Sequence, residues 1–334
     1  MDPYLVRPYT LALETWGNGI AQSLRRPKED RMQAHELLVR TSRTFALAIP
    51  LLPEPTRRAT CLAYLLFRLA DTLEDADLWP KATRVRALED LIDLLASRAD
   101  ALDGRDVRSN SGPTELRDSW LLQPPTRDAG NIALMRALPD LLDRLDSETS
   151  PAVQKAILGH ARRTANGMLA TVVRADEAGH FTLRTMDELK SYCYVVAGIV
   201  GELLTELFVH DAPQLSSVRA TLVAHETAFG EGLQLVNILK DATKDVADGR
   251  RYLPDAVPGS EVMALAHRDL TSARAYIAAL EAGSAPPGFV AFTTLCTDLA
   301  DATLVRIAED GAGAKVPRGV VAQMLDRVQR SLNR

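Results

Sequence analysis

An all-α protein is the reading that three observations support. The chain has 334 residues, 46% apolar and 25% charged, a globular balance with length enough for a large core. Aromatic residues make up only 5% of it, and long stretches draw on Ala, Leu, Arg, Glu and Asp, good helix formers with little of the β-branched alternation that marks strands. Pro and Gly punctuate the sequence between these helix-favouring runs.

Residues 9–25 and 30–41 read as helices parted by Arg26-Pro27, after which Ser42 or Thr44 leads into the apolar Phe45-Ala-Leu-Ala-Ile-Pro50. Pro53 and Pro55 mark the next break. One long helix is predicted over 54–76, ended near Trp79-Pro80, and another over 82–101. Residues 103–123 carry the strongest loop signal, Asp103-Gly-Arg-Asp-Val-Arg-Ser-Asn-Ser-Gly-Pro113, and are expected to be flexible. Helices resume over 129–146 and 150–177, the second with Ser150 as N-cap and Pro151 in its first turn. Gly179-His-Phe-Thr-Leu-Arg-Thr185 reads as a turn. Thr185 or Asp187 caps a helix to about 210, and another runs from 215 to about 248, stopped by Gly249-Arg-Arg-Tyr-Leu-Pro254. Helices over 260–282, 287–309 and 317–332 complete the chain. Without an internal repeat or a linker-like composition shift, residues 1–334 read as one domain.

A net charge of −5 with no basic cluster interleaved with aromatics excludes a nucleic-acid-binding surface. Cys61, Cys193 and Cys296 are far apart in apolar helical stretches, which predicts buried reduced thiols and a cytoplasmic location. The six histidines lack zinc-binding spacing. The N-terminus shows no secretory pattern, and no run of about 18 apolar residues suggests a membrane span. A soluble protein is expected, with at most peripheral membrane contact.

Two acidic groups stand out, Asp71-Thr-Leu-Glu74-Asp75 and Asp241-Ala-Thr-Lys-Asp245. Helical spacing puts Asp71, Glu74 and Asp75 on one face, and likewise Asp241 and Asp245. A lone pair of this kind is usually a solvated surface. Here the flanks, Ala59-Thr-Cys-Leu-Ala-Tyr64-Leu-Leu-Phe-Arg68 and Gly232-Leu-Gln234-Leu-Val-Asn237-Ile-Leu, are too apolar to face water throughout. Two carboxylates roughly 6 Å apart repel by about 3 kcal/mol at an effective dielectric near 20. A bound cation removes that penalty, and hard oxygen donors without His or Cys favour Mg²⁺ completed by water and phosphate. Two such clamps at the mouth of an apolar helical cavity predict ionisation of a prenyl diphosphate.

Four blocks then carry a resemblance. Thr41-Ser-Arg-Thr-Phe45, Tyr64-x-x-x-Arg68-x-x-Asp71-x-x-Glu74-Asp75, Tyr192-Cys-Tyr-Val-Val-Ala-Gly-Ile-Val-Gly201 and Gln234-x-x-Asn237-Ile-Leu-Lys-Asp241-x-x-x-Asp245 resemble, in order, the squalene/phytoene synthase family over about residues 38–256. The resemblance implies an all-α isoprenoid synthase fold, a helical bundle around a central cavity, and head-to-head (1′-1) condensation of two prenyl diphosphates through a cyclopropylcarbinyl diphosphate. It implies that Asp71, Glu74, Asp75, Asp241 and Asp245 bind Mg²⁺. Ser42, Arg43, Arg68, Lys240 and Arg250 would contact phosphate, and Gln234 and Asn237 would position substrate or cofactor. Tyr192 takes the place of the proton-abstracting tyrosine, with Tyr64 and Arg68 beside it in catalysis. Phe45, Tyr64 and Phe292 would line the cavity with aromatic faces suited to carbocations.

The Tyr192 block is closer to squalene synthases, whereas Gly249-Arg-Arg-Tyr-Leu-Pro254 is more like phytoene and dehydrosqualene-type enzymes. Lys315-Val-Pro-Arg318 resembles the basic loop that squalene synthases use near NADPH, with Pro317 where that pattern has an arginine, and Lys244 replaces a common acid. The expectation is therefore a squalene synthase-like enzyme taking farnesyl diphosphate to squalene with Mg²⁺ and NADPH, through Lys315, Arg318 and Asn237. The alternatives are presqualene diphosphate, dehydrosqualene or phytoene synthesis without reduction. A noncatalytic assembly factor of the same fold would have lost its acids, and all five are present.

Overall fold

The apolar run that ends in the first acidic group forms the most enclosed helix of the fold. A computed structural model describes residues 33–105 and 111–332. The helix expected over 9–25, the start of 30–41, and residues 106–110 of the predicted loop lie outside the described residues. Helix α1 (Ala34–Thr41) is followed by a single turn, α2 (Phe45–Ala48), a short 3₁₀ segment at Ile49–Leu51, and then α3 (Thr56–Glu74). From Ala59 to Glu74 every residue of α3 is buried except Tyr64, Arg68 and Asp71. These three recur at i, i+4 and i+7, so α3 is walled in on all sides but one stripe.

The chain continues through α4 (Lys81–Leu102), α5 (Pro113–Leu122), α6 (Ala129–Arg136), α7 (Leu138–Glu148) and α8 (Pro151–Arg174). After a two-residue strand β1 (Phe181–Thr182) come α9 (Met186–Cys193) and α10 (Ile199–Asp211), joined by the π turn Tyr194–Gly198. A 3₁₀ segment (Pro213–Val218) precedes the 29-residue α11 (Arg219–Ala247), which runs into β2 (Arg250–Arg251). Helices α12 (Gly259–Ala282), α13 (Pro287–Asp310) and α14 (Arg318–Leu332) follow. The all-α expectation holds, with β1 and β2 as one parallel bridge.

Three expectations need correction. Residues 113–122 of the predicted loop form α5, because Pro113 suits the first turn, the Glu115 carboxylate accepts the Gly112 N–H at 2.9 Å, and Leu116 and Trp120 supply a buried face. The single helix over 129–146 is two, α6 and α7. Pro139 has no N–H to donate and its ring crowds the carbonyl four residues back, which breaks the helix at Ala137. The turn at 179–185 contains β1.

Helix α11 packs along α12 and against α10 and the π turn, while α3 lies against α8. The approach of α11 to the π turn depends on glycine: a Cβ on Gly230 would fall 2.0 Å from the Ala197 carbonyl oxygen, and one on Gly201 would fall 1.9 Å from that of Glu226. Cys61, Cys193 and Cys296 are buried free thiols, as expected. Met186–Asp211 and Pro287–Asp310 are long and apolar enough on average to cross a bilayer by length and composition, although Glu202 and Glu206 interrupt the first and Asp298 and Asp301 the second. Half of the first window and 56% of the second are buried inside the bundle, the pattern of core helices.

Candidate active site

The open stripe of α3 begins at Tyr64, whose hydroxyl donates to the Thr41 carbonyl at 3.1 Å and whose ring centroid lies 5.3 Å from that of Phe45. The Ser42 hydroxyl accepts the Phe45 N–H at 3.0 Å, fixing the turn that leads to Phe45, and Arg43 is exposed beside it. One turn on, Arg68 donates from Nη1 to the Asp71 carboxylate and from Nη2 to Asn131 Oδ1 at 3.4 Å. Phe292 does not share this open face. It is fully buried, behind Phe45 at 6.5 Å and edge-on to Phe208, so it is a core residue.

A second open stripe runs along α11. Leu235, Val236, Ile238 and Leu239 are buried, whereas Gln234, Lys240, Asp241 and Asp245 are half-buried and Asn237 is exposed. Lys240 Nζ donates to Asn237 Oδ1 at 3.1 Å and lies 3.2 Å from an Asp241 carboxylate oxygen. Lys244 points along the helix to Asp248 at 2.8 Å. The loop before α14 docks here, the Gly313 N–H donating to the Lys240 carbonyl at 2.6 Å. That brings the exposed Lys315 and Arg318 onto the segment that follows this contact.

Arg250 joins the two stripes. From β2 its Nη1 contacts Asp75, at the end of α3, while Nη2 lies 3.6 Å from Asp248, at the end of α11. Burial disfavours its charge, yet Asp75, Asp245 and Asp248 together raise its pKa above even the ordinary arginine value. Asp75 and Asp248, from the ends of α3 and α11, thus meet at one cation, whereas Asp71 pairs with Arg68 and Asp241 with Lys240. The Asp75 side chain is 43% exposed, with Arg250 against it. Desolvation there, and then repulsion from Asp71, push its carboxyl up to about 6 against the pull of Arg250. Burial also raises Asp245, with Arg250 opposing.

Glu74 departs from its predicted place on the clamp. At about 100° per residue it lies about 60° round the helix from Asp71, with Asp75 about 40° the other way, so that only the outer pair shares the open side. Its side chain is buried, its Oε1 has no hydrogen-bond partner, and desolvation followed by repulsion from Asp75 and Asp71 pushes its pKa well above the usual range. Tyr192 lies close to it. The Tyr192 ring stacks on Tyr252 at 4.8 Å, and Phe181 stands 6.4 and 6.2 Å from the two. Burial, then the Glu74 charge, holds the Tyr192 phenol neutral with its pKa well above 10.

Arg84, Asn131, Phe181 and Tyr252 were not singled out from the sequence. Arg84 donates to the Glu74 carbonyl. Tyr252 lies in the quoted Gly249–Pro254 block, two residues past Arg250; Arg84 and Asn131 sit in no motif. A pocket of about 240 Å³ flanks the second acidic group, lined by Ile238, Ala242, Asp245, Arg251, Tyr252 and Leu253 among others.

Among the described residues no three His, Cys, Asp or Glu side chains stand close enough together to hold an ion as they are. Three of the open acids are instead held by a cation: Asp71 by Arg68, Asp75 by Arg250 and Asp241 by Lys240. The donors are all carboxylates and all partly open to solvent, and burial is the first cause that raises the carboxyls of Asp75 and Asp245. That donor chemistry fits a hard divalent ion completed by water.

The helical bundle has the fold of squalene and dehydrosqualene synthases. TcSQS in complex with a ligand superposes with a TM-score of 0.63 at 22% identity over 90% of this chain and 87% of that one. A dehydrosqualene synthase complex gives 0.57 at 19% over 96% and 99%. The chain belongs to the squalene/phytoene synthase family, whose model matches residues 38–257. Among curated relatives, squalene synthase ERG9 of Candida albicans is 28% identical over 66% of this chain and 45% of its own length. Lycopaoctaene synthase of Botryococcus braunii is 31% identical over 68% and 45%. The chain thus spans under half the length of these relatives.

Proposed function

We propose that this protein condenses two farnesyl diphosphates head to head to presqualene diphosphate and reduces that intermediate to squalene, using Mg²⁺ and NADPH, with residues 1–334 acting as one domain. The observation that carries this reading is the Arg250 bridge. It links Asp75 at the end of α3 to Asp248 at the end of α11, which supports a diphosphate site reached from both helices, and Arg68, Lys240 and Arg250 each already hold an anionic oxygen. A diphosphate presents the same kind of oxygen with more charge, so these cations transfer to it from their carboxylates. Ser42 and Arg43 extend the phosphate contacts at the rim.

Asp71, Asp75 and Asp241, released from their cations, would hold Mg²⁺ together with Asp245, with Glu74 behind them. When bound, Mg²⁺ supplies charge that stabilises the departing diphosphate. The rings of Tyr64 and Phe45 offer their π faces to the allylic cation. Tyr192, a neutral phenol here, would act as the base only once added positive charge lowers its pKa and its own proton passes to a diphosphate oxygen, leaving a phenolate to accept the substrate's proton. Gln234 and Asn237 orient the substrate. Lys315 and Arg318, on the loop docked at Lys240, supply the positive charge for NADPH.

Incubation of purified protein with farnesyl diphosphate and Mg²⁺, with and without NADPH, followed by lipid identification, tests this. Squalene that depends on NADPH supports it. Squalene absent under every condition rejects it in favour of the presqualene diphosphate, dehydrosqualene or phytoene type, the reading that Pro317 in the basic loop favours. A protein that releases no diphosphate would be a noncatalytic relative. The hydrocarbon product also calls for peripheral bilayer contact of a cytoplasmic protein, tested by liposome flotation.

A further inference from the structure

The seam between α8 and α9 holds contacts that this chemistry does not use. The Ala175 carbonyl accepts Lys81 Nζ at 2.6 Å from the start of α4. Asp176 then closes a turn: its carboxylate accepts the His180 backbone N–H at 2.8 Å and lies 3.0 Å from His180 Nδ1, and its own N–H donates to the His180 carbonyl at 3.0 Å. A Cβ on Gly179, in the left-handed region at φ +84°, would fall 2.8 Å from Arg84 Nη1. The turn is therefore tied down on both flanks.

His180 lies directly on Gly249. A Cβ there would fall 2.2 Å from His180 Cδ2, and Gly249 itself has φ +79°, so only glycine fits beneath the ring. The next residues pair in register: Phe181 opposite Arg250 and Thr182 opposite Arg251, with the Phe181 N–H on the Gly249 carbonyl at 3.1 Å and the Leu183 N–H on that of Arg251 at 2.9 Å. The backbone that launches Arg250 is thus gripped by a ring at residue 249 and by the ladder at 249–251. Arg250 leaves this grip to meet Asp75.

We propose that His180, oriented by Asp176, is a positioning residue for Arg250. A solvent-facing pair outside the crevice thereby sets where the diphosphate-binding guanidinium stands. The functional part of this rests on the role given to Arg250 above. His180 and Asp176 side chains are 62% and 56% exposed, so replacing them leaves the core intact.

Two readouts on His180→Ala and Asp176→Asn decide it. In a crystal structure of His180→Ala, Arg250 no longer meets Asp75. In calorimetric titration with inorganic pyrophosphate and Mg²⁺, affinity falls about ten- to a hundredfold, the scale of a misplaced binding group, with the melting temperature unchanged. His180→Ala made in an Arg250→Ala background causes no further loss. An intact Arg250–Asp75 contact in the variant, or losses that simply add, overturns the proposal. Asp176→Asn keeps the imidazole and gives the same pattern more weakly, so it stands in if His180→Ala fails to fold. Should Arg250→Ala itself leave pyrophosphate affinity unchanged, the diphosphate reading fails, while the crystallographic result still decides the positioning.

Discussion

Glu231→Gln should make the protein more stable at pH 8. Glu231 sits on α11 one turn before Gln234, with a Cβ position of Gly198 only 3.0 Å from its Oε1, so its carboxyl is pressed against the π turn. Burial first, then repulsion from Asp269 and Glu202, push its pKa up to about 7, with Lys190 opposing. The sign follows from linkage. Between about 4.5 and 7 the folded chain holds a proton that the unfolded chain has released, so stability falls as pH rises through that window and the loss is complete above it. The full difference, 7 less 4.5 at about 1.36 kcal/mol each, is about 3.4 kcal/mol, and partial solvation of the carboxyl reduces it to about 1. A neutral amide of the same shape escapes that loss. Urea denaturation should therefore show Glu231→Gln more stable than the parent by about 1 kcal/mol at pH 8, or about 2–4 °C in a melt, and indistinguishable from it near pH 4. Equal or lower stability at pH 8 would refute the reasoning.

Other outcomes are as specific. Asp71→Asn and Asp241→Asn should each lower Mg²⁺-dependent diphosphate release at least about a hundredfold, and unchanged turnover in both would discard the metal assignment. Tyr192→Phe should lower kcat about 10²–10⁴-fold with little change in KM, since its hydroxyl serves the proton step; a pure KM effect counts against that role. Gly230→Ala, with its methyl 2.0 Å from the Ala197 carbonyl oxygen, should cost about 1–3 kcal/mol in urea denaturation, whereas Gly159→Ala, with nothing within 4 Å, should be neutral or stabilising. A thiol reagent at pH 8 should label none of the three cysteines until denaturant is added, because burial pushes Cys61 and Cys296 up to about 12 and Cys193 higher still.

The helices were legible where a single face had to be apolar or a cap was written plainly. Ser150-Pro151 and Thr185 begin α8 and α9 as read, the Thr185 hydroxyl accepting the Glu188 N–H at 3.2 Å. The acids were legible because α-helical spacing is a local property, but whether Glu74 or Asp75 faces the crevice depends on 60° against 40° of rotation and on what packs behind, which spacing does not encode. Phe292 fails for the same reason: an aromatic residue in an apolar run suits a core and a cavity wall equally. The π turn at Tyr194–Gly198 left no trace in the sequence, since it arises where glycines at 201 and 230 let two helices close up. Arg84, Asn131 and the parallel bridge are products of tertiary approach alone.

The pairing of Asp71, Asp75 and Asp241 with Arg68, Arg250 and Lys240 means that three of these acids are neutralised from within the chain. On the proposed function, metal would take the acids and diphosphate the cations of these three pairs, so each ligand would free the other's partners. Their binding would then be positively linked, and by reciprocity pyrophosphate would tighten Mg²⁺ by the same factor that Mg²⁺ tightens pyrophosphate.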